Sequence, residues 1–314
     1  MGRIAFIFPG QGAQYVGMGK EFYEKEKTAA RVYDTASKVT GLDLPALCFE
    51  ENEDLNQTQY TQIAMLTTEV AILKVLEERG LRPDVTAGLS LGEYGAIVAS
   101  GIMKPEDAFR VVRQRGIYMQ EAVPVGGAMS AVLGLGSDIV EKVCEETEGT
   151  VSVANYNCPG QLVISGEAAA VEKAGAALKE QGAKRVLPLN VSGPFHSRML
   201  IPAGEKLERV LDEVELSEFV IPYVSNLMGD FVTETKEIKF LLKMQISSPV
   251  KWQQSVERMI EEDVDTFVEI GPGRTLSGFM KKINKEVRAF NIDKYQDLEK
   301  VCAELMGKEA SADA

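Results

Sequence analysis

Residues 85–100 read VTAGLSLGEYGAIVAS, a short apolar run that changes to helical composition at Ser90. Its centre, Gly88-Leu-Ser90-Leu-Gly92, fits the pattern G-x-S-x-G between a predicted strand (85–89) and a predicted helix (91–100). A nucleophile elbow requires this context, because flanking glycines let the backbone turn tightly and lift the serine hydroxyl clear of the sheet. The alternative is a plain strand-to-helix turn with a capping serine. We take Ser90 as the candidate nucleophile.

The segments around this elbow alternate between strand and helix signals. Residues 4–8 are typical of a buried strand, 59–79 of a long helix closed by Gly80, and 105–123 of a helix that begins at a proline. Strands and helices in alternation imply parallel pairing, with helices on both faces of the sheet. The sequence therefore predicts an α/β fold with a parallel sheet.

A different element order occupies residues 125–191. Strand signals and helix signals follow one another there as strand 128–135, helix 137–147, strands 151–155 and 161–165, helix 167–181 and strand 185–189. This β-α-β-β-α-β order is the ferredoxin-like unit. We predict a ferredoxin-like insert at 125–191 within a large catalytic domain formed by 1–124 and 192–314. That domain resumes with strands near 222–227 and 266–270, and its small, polar tail at 307–314 is expected to be frayed.

Composition and charge exclude several classes of protein. The 314 residues carry a formal net charge of −13, which argues against nucleic-acid binding because such binding needs a basic surface. No apolar run approaches the roughly 20 residues of a membrane span, and no signal-peptide pattern opens the chain, so we expect a cytoplasmic protein. The four cysteines, Cys48, Cys144, Cys158 and Cys302, are scattered, which predicts structural thiols and no metal site.

The chain has a single histidine, His196, in the loop-like segment Gly193-Pro-Phe-His-Ser197. A serine hydroxyl needs a base to take its proton, and no other imidazole is present. A lone histidine is by default a structural residue. Together with the elbow, however, His196 becomes the candidate general base.

The glycine-rich segment Gly10-Gln-Gly-Ala-Gln14 resembles a phosphate-binding loop only superficially. Met18 stands where the Walker motif needs lysine, and Tyr15 replaces the third glycine of a dinucleotide fingerprint. Backbone N–H groups that serve an oxyanion beside the elbow are a better use. A loop that needs glycine for positive φ is the alternative.

Charged side chains supply two further hypotheses. Arg113 and Arg115 share one helix, and Met119 lies one turn beyond Arg115, so an arginine could face a cleft; a solvated surface position is the alternative. Basic residues also cluster at two places, where a solvated face is the simpler interpretation: Lys281, Lys282, Lys285 and Arg288, and Lys184 with Arg185.

Several motifs in order resemble the malonyl-CoA:acyl-carrier-protein transacylases of bacterial fatty-acid synthesis. They are the Gly10 and Gly88 segments, Gln114-Arg-Gly116, Gly193-Pro-Phe-His-Ser197, Gln245 ahead of Pro249-Val-Lys-Trp252, and Glu269-Ile-Gly-Pro-Gly273. The resemblance covers the chain to about residue 293. It implies an α/β-hydrolase-like core with a ferredoxin-like insert.

The resemblance also implies roles for single residues. Ser90 would accept the acyl group, His196 would be its base, and the N–H groups of Gln11 and Leu91 would form the oxyanion hole. A main-chain carbonyl at Gln245 would orient His196, and Arg115 would hold the malonyl carboxylate. Phe195 matches the phenylalanine found in members that prefer malonyl to methylmalonyl groups. Met119 and either Asn155 or Asn157 would lie near the substrate. Leu89 departs from the histidine that many members carry before the nucleophile.

The reaction so implied is a ping-pong transfer of malonyl from malonyl-CoA to the phosphopantetheine thiol of acyl carrier protein, with no cofactor. A serine hydrolase is the rival class; it would need an acid such as Asp138 or Glu167 to orient the histidine, and both fall in the insert. A non-catalytic carrier-docking module is a third class, but it would have no use for an elbow and a matched histidine.

Overall fold

The computed structural model describes residues 2–191 and 193–307; the predicted tail beyond Gly307 lies outside these residues. Within these ranges the chain forms ten strands: β1 (Arg3–Phe8), β2 (Val85–Gly88), β3 (Gly127–Leu133), β4 (Val151–Cys158), β5 (Gln161–Glu167), β6 (Arg185–Pro188), β7 (Tyr223–Ser225), β8 (Asp230–Phe231), β9 (Val264–Ile270) and β10 (Arg288–Ile292).

The same ranges contain thirteen α-helices. They are α1 (Lys20–Lys25), α2 (Lys27–Thr40), α3 (Leu44–Phe49), α4 (Thr58–Arg79), α5 (Gly92–Ala99), α6 (Pro105–Ala122), α7 (Ser137–Glu146), α8 (Ala168–Glu180), α9 (Ile201–Asp212), α10 (Ile238–Gln245), α11 (Trp252–Glu261), α12 (Thr275–Ile283) and α13 (Tyr295–Met306). None of the helices in the described ranges is long and apolar enough to cross a membrane.

A six-stranded sheet forms the centre of the larger layer, in the order β10-β9-β1-β2-β7-β8. All neighbouring strands are parallel except β7 and β8, which confirms the predicted parallel sheet. Strand β1 is apolar from Ile4 to Phe8 because helices cover both of its faces. The pairing of Phe8 with Gly88 sets the ends of β1 and β2 side by side, so the loops that follow them are adjacent.

Helix α4 is the longest helix and one of the most buried. Its residues from Thr61 to Leu73 are all buried, and it contacts α2, α5 and α6. It begins one residue before the predicted start and ends at Gly80, whose φ of 86° fits the left-handed C-cap. This buried central part of the helix gives the elbow and the glycine loop a rigid support.

The second sheet has four antiparallel strands in the order β4-β5-β3-β6, with α7 and α8 packed on it. Its element order, β3-α7-β4-β5-α8-β6, confirms the predicted ferredoxin-like unit. The domain division at residues 125 and 191 stays a prediction. The small sheet meets the rest of the chain at Val250, which accepts from the Tyr156 N–H (2.9 Å) and donates to the Ala154 carbonyl (2.8 Å).

Strand β4 differs from the prediction. It runs to Cys158, three residues beyond the predicted end at Asn155, and its pairing with β5 shifts register between Val153 and Asn155 and between Tyr156 and Cys158. These irregularities interrupt the alternation of side chains between the two faces of the sheet, so the last three residues of the strand were not predicted.

Candidate active site

Ser90 lies in a tight turn between the end of β2 and the start of α5, with a φ of 54°. The neighbouring glycines are required by close contact as well as by the turn. A Cβ at Gly88 would lie 2.0 Å from the carbonyl carbon of Gly92, and a Cβ at Gly92 would lie 2.1 Å from the carbonyl oxygen of Phe8. The elbow therefore packs directly on β1, and Ser90 adopts a conformation that a non-glycine residue keeps only under constraint.

The side chain of Asn226 supplies that constraint. Its Oδ1 accepts the N–H of Ser90 (2.6 Å), and its Nδ2 donates to the carbonyl of Gly88 (2.5 Å). Asn226 falls in the segment predicted as a strand near 222–227, and no role was predicted for it. The available signal was its position just after the carboxyl end of β7, at the same edge of the sheet as the elbow.

His196 meets the serine across 106 residues of chain. The Ser90 Oγ lies 2.7 Å from His196 Nε2, and the opposite ring nitrogen, Nδ1, lies 2.8 Å from the main-chain carbonyl of Gln245. Because a carbonyl only accepts, Nδ1 carries the proton, and Nε2 offers its lone pair to the serine hydroxyl. The pair has the geometry of a nucleophile and its base.

The protonation state of His196 follows from its surroundings. The ring is buried, and burial together with the positive charge of Arg115 lowers its pKa to about 4. At neutral pH the imidazole is therefore neutral, as a base that accepts a proton must be.

The histidine is oriented without a carboxylate. Among the described residues no aspartate or glutamate contacts His196. Of the two acids considered from the sequence, Asp138 lies in the first turn of helix α7, and Glu167 ends β5, where its carboxylate accepts the N–H of Thr150. Neither belongs to this site.

Arg115 is fully buried, so a solvated surface position, the alternative considered from the sequence, is wrong. Its Nη2 donates to Ser90 Oγ (3.1 Å) and to Gln245 Oε1 (2.9 Å), and its Nη1 donates to Gln62 Oε1 (2.6 Å). Arg113 points elsewhere: it donates to the Gln59 carbonyl and stacks over the Tyr60 ring. One of the two arginines thus lies beside the serine, and the other does not.

A buried carboxylate, Glu93, fixes the amide of Gln245. Its oxygens accept from Gln245 Nε2 (2.5 Å), the Tyr223 hydroxyl (2.7 Å) and the Asn226 N–H (3.3 Å). Burial raises the pKa of Glu93 to about 7, and these donors limit the rise. Because Gln245 Nε2 is committed to Glu93 and to the Ser90 carbonyl, its Oε1 is left to face Arg115. No role was predicted for Glu93 from the sequence.

A cavity of about 250 Å³ opens in front of Ser90 and is lined by residues of the small sheet, of the loops that follow β1 and β2, and of helices α4, α6 and α12. The other residues predicted for the site line it as well, namely Gln11, Leu91, Phe195, Met119, Asn155 and Asn157. Both asparagines qualify, so the structure does not choose between them. Leu89 also lines the cavity and packs on Gly10, where a Cβ would lie 2.8 Å from its Cδ2.

The backbone N–H groups of Gln11 and Leu91 donate to no acceptor among the described residues. They lie in the loops that follow β1 and β2, and the register of Phe8 with Gly88 sets the ends of these two strands side by side. Two uncommitted donors beside a serine are suited to bind an oxyanion.

Comparison with known proteins gives consistent findings. The model of the acyl transferase domain family matches residues 5–301. The malonyl CoA-acyl carrier protein transacylase of Bacillus subtilis (strain 168) is 47% identical over 304 residues, 95% of this chain and 96% of that protein. The transacylase of Staphylococcus aureus (strain MSSA476) is 40% identical over 303 residues, 95% of this chain and 98% of that protein.

Solved structures of transacylases are also similar to this chain. The malonyl CoA-acyl carrier protein transacylase from Clostridium perfringens superposes with a TM-score of 0.94 at 45% identity, covering 97% of this chain and 98% of that one. A malonyl-transacylase solved in complex with a type II PKS acyl-carrier protein superposes with a TM-score of 0.93 at 40% identity, covering 98% and 100%.

Proposed function

The chain belongs to the acyl transferase family and, within it, to the malonyl-CoA:acyl-carrier-protein transacylases, and we propose that it carries malonyl on Ser90 from malonyl-CoA to the phosphopantetheine thiol of acyl carrier protein. One observation carries this proposal: a fully buried guanidinium lies 3.1 Å from the oxygen of the nucleophile. A buried cation beside the acyl acceptor suits an acyl group that ends in a carboxylate.

In the first half-reaction Ser90 Oγ attacks the thioester carbonyl while its proton passes to His196 Nε2. The carbonyl oxygen becomes an oxyanion, which the N–H groups of Gln11 and Leu91 stabilise. Each such donor is worth roughly 3 kcal/mol of barrier. When the carbon–sulfur bond breaks, the imidazolium protonates the departing thiolate of coenzyme A, which leaves malonyl as an ester on Ser90.

In the second half-reaction the phosphopantetheine thiol gives its proton to His196 and attacks the ester. The same two N–H groups stabilise the second oxyanion. When the ester bond breaks, the imidazolium returns its proton to Ser90 Oγ. A thioester is thereby exchanged for a thioester, so the cycle needs no external energy source or cofactor. The product supplies malonyl units for fatty-acid chain elongation. The cytoplasmic location expected from the sequence stays a prediction.

Mass spectrometry of the intact protein after incubation with malonyl-CoA tests this function. A transacylase accumulates one malonyl group, and added holo-carrier removes it as malonyl-carrier. A serine hydrolase would release free malonate instead, and a docking module would take up no adduct.

Two variants assign the adduct to a residue. Ser90→Ala should abolish it, whereas Ser137→Ala, which changes an exposed serine at the start of α7, should leave it intact. A malonyl adduct that persisted on Ser90→Ala would rule this serine out as the nucleophile.

A further inference from the structure

The side chains of Arg115, Ser90 and His196 form a continuous row of hydrogen bonds. Arg115 Nη2 donates to Ser90 Oγ (3.1 Å), and Ser90 Oγ lies 2.7 Å from His196 Nε2, to which it donates. A hydroxyl has two lone pairs, and here a cation engages one of them. A charge-assisted bond of this kind withdraws electron density from the oxygen that must attack.

The hydrogen bonds that the Arg115 guanidinium already makes limit how it can bind a carboxylate. Two parallel N–H pairs can bind a carboxylate in a fork, Nη1 with Nη2 and Nε with Nη2, so both forks include Nη2. Both Nη2 hydrogens are committed, one to Ser90 and the other to Gln245. The Nε–H is buried and has no hydrogen-bond acceptor among the described residues. A two-bond ion pair therefore cannot form unless Nη2 gives up one of its acceptors.

Ser90 is the acceptor that gives way. It lines the cavity, whereas Gln245 is buried outside the cavity lining. The amide of Gln245 is also held by Glu93 and by the Ser90 carbonyl, which keeps its Oε1 directed at Arg115. An incoming carboxylate in the cavity thus competes with the serine oxygen for Nη2.

The same event acts on the base. His196 is faced by the Ser90 hydroxyl from the elbow, by the main chain of Gln245 and Ser248, and by the cation of Arg115 from α6. Of the causes that lower the pKa of His196, burial is the largest and the Arg115 charge comes next. An ion pair neutralises that charge, so the imidazole becomes a stronger base when a carboxylate is bound.

We propose that Arg115 restrains Ser90 in the free enzyme and that the carboxylate of the incoming acyl group releases the serine by taking Nη2. This inference rests on the proposed function and deepens it. The guanidinium selects the acyl group and also activates the nucleophile, so an electrophile that lacks a carboxylate meets a serine still held by Arg115.

Labelling of Ser90 by phenylmethylsulfonyl fluoride, an uncharged electrophile, tests the restraint. Arg115→Met replaces the guanidinium with an unbranched apolar chain, and we expect it to be labelled roughly 10- to 100-fold faster than wild type, the range for loss of a hydrogen bond to a charged group. Arg113→Met is the matched control, since Arg113 lies on the same helix without touching Ser90, and it should match wild type. Labelling of Arg115→Met at the wild-type rate or slower would overturn the proposal.

A second measurement needs no variant, because His196 is the only histidine in the chain. We would follow the ring of 13C-labelled histidine by NMR against pH, with malonate or its uncharged analogue malonamide present. Malonate should raise the pKa of His196, and malonamide should not. An unchanged pKa at malonate concentrations that competitively block malonyl-CoA would overturn the proposal. Failure of the proposed function differs from both results, because it would appear as the absence of any malonyl adduct.

Discussion

The side-chain amide of Asn226 closes the elbow around Ser90, with its oxygen on the Ser90 N–H (2.6 Å) and its nitrogen on the Gly88 carbonyl (2.5 Å). The positive φ of Ser90 and the position of its hydroxyl 2.7 Å from His196 are therefore fixed by a residue 136 positions away.

Asn226→Ala should reduce kcat for malonyl transfer by roughly 10- to 100-fold, because a serine displaced by a fraction of an ångström loses its alignment with the base. Asn52→Ala is the control. Asn52 also binds backbone groups through both side-chain atoms, but in a loop away from the site. Steady-state kinetics and thermal unfolding of both variants separate the effects. If kcat per folded molecule fell equally in the two, Asn226 would have only a structural role.

Removal of His196, the proposed base, should slow acylation far more than it affects the binding of malonyl-CoA. We expect His196→Ala to lose roughly 10²- to 10⁴-fold in the single-turnover rate of malonyl-serine formation, the usual worth of a positioned base. Quenched-flow mass spectrometry measures that rate directly. Near-normal acylation at neutral pH would exclude His196 as the base.

The pH dependence of acylation follows from the pKa of His196 in the free enzyme. That pKa is lowered to about 4, and the base acts in its neutral form, so kcat/KM should stay level as the pH falls from 8 to about 5 and decline only below that. An unperturbed histidine would instead lose half of its activity near pH 6.5. Single-turnover kinetics across this range distinguish the two pH profiles. A fall in rate centred at about pH 6.5 would contradict the effect of burial described above.

Arg115 should determine the choice between malonyl and acetyl groups. An acetyl group would leave a fully buried guanidinium without a carboxylate, and loss of one partner from such a pair costs about 2–5 kcal/mol. Arg115→Ala should therefore lose malonyl transfer by roughly 30- to 5,000-fold and gain acetyl transfer relative to malonyl.

The specificity constants for malonyl-CoA and acetyl-CoA, measured in wild type and in this variant, provide the check. Arg113→Ala should leave their ratio unchanged. An equal fall for both substrates in Arg115→Ala would show that Arg115 supports the fold without reading the carboxylate.

Docking of an acidic carrier on an acidic protein needs a local positive surface. Helix α12 lines the cavity through Thr275, Leu276 and Phe279, and the exposed Lys281 and Lys282 follow at its end. Charge reversal at Lys281, Lys282 and Lys285 should slow transfer to the carrier several-fold and spare acylation by malonyl-CoA.

Two controls accompany that experiment. Lys38→Glu on α2, outside the cavity lining, should change neither half-reaction, and reversal at Lys184 and Arg185 tests the alternate patch on β6. If the variants at Lys281, Lys282 and Lys285 slowed both half-reactions equally, or changed neither of them, the carrier would dock elsewhere.

The parts of this fold that the sequence predicted are those with strong local signals. Strand β1 is an uninterrupted apolar run, α4 ends at a glycine, and the G-x-S-x-G segment carries its turn in its own residues. The small sheet was recognisable because its elements are separated by glycine and polar turns.

Other parts depend on contacts between distant residues. Asn226, Gln62 and Glu93 act through partners 53 to 152 positions away, and no local pattern specifies such pairs. The burial of Arg115 was likewise hidden, because its own helix carries charged residues on either side, and residues of other elements, among them Gln62 and Gln245, remove it from water. Helix α9 was not predicted, since proline and glycine in its first turn obscure the helical period.

The position of β1 in the sheet determines how long one of its edges stays unpaired while the chain is being synthesised. The first strand to be made lies between β2 and β9, and β9 begins only at Val264. Until that residue is translated, one long edge of an apolar strand has no partner, and an unpaired edge of this kind is a template for aggregation. The nascent chain thus carries this unpaired edge from the synthesis of β1 until β9 has been made. Nonsense mutations between His196 and Val264 should yield fragments that are insoluble or depend on chaperones, even though such fragments contain Ser90, Arg115 and His196.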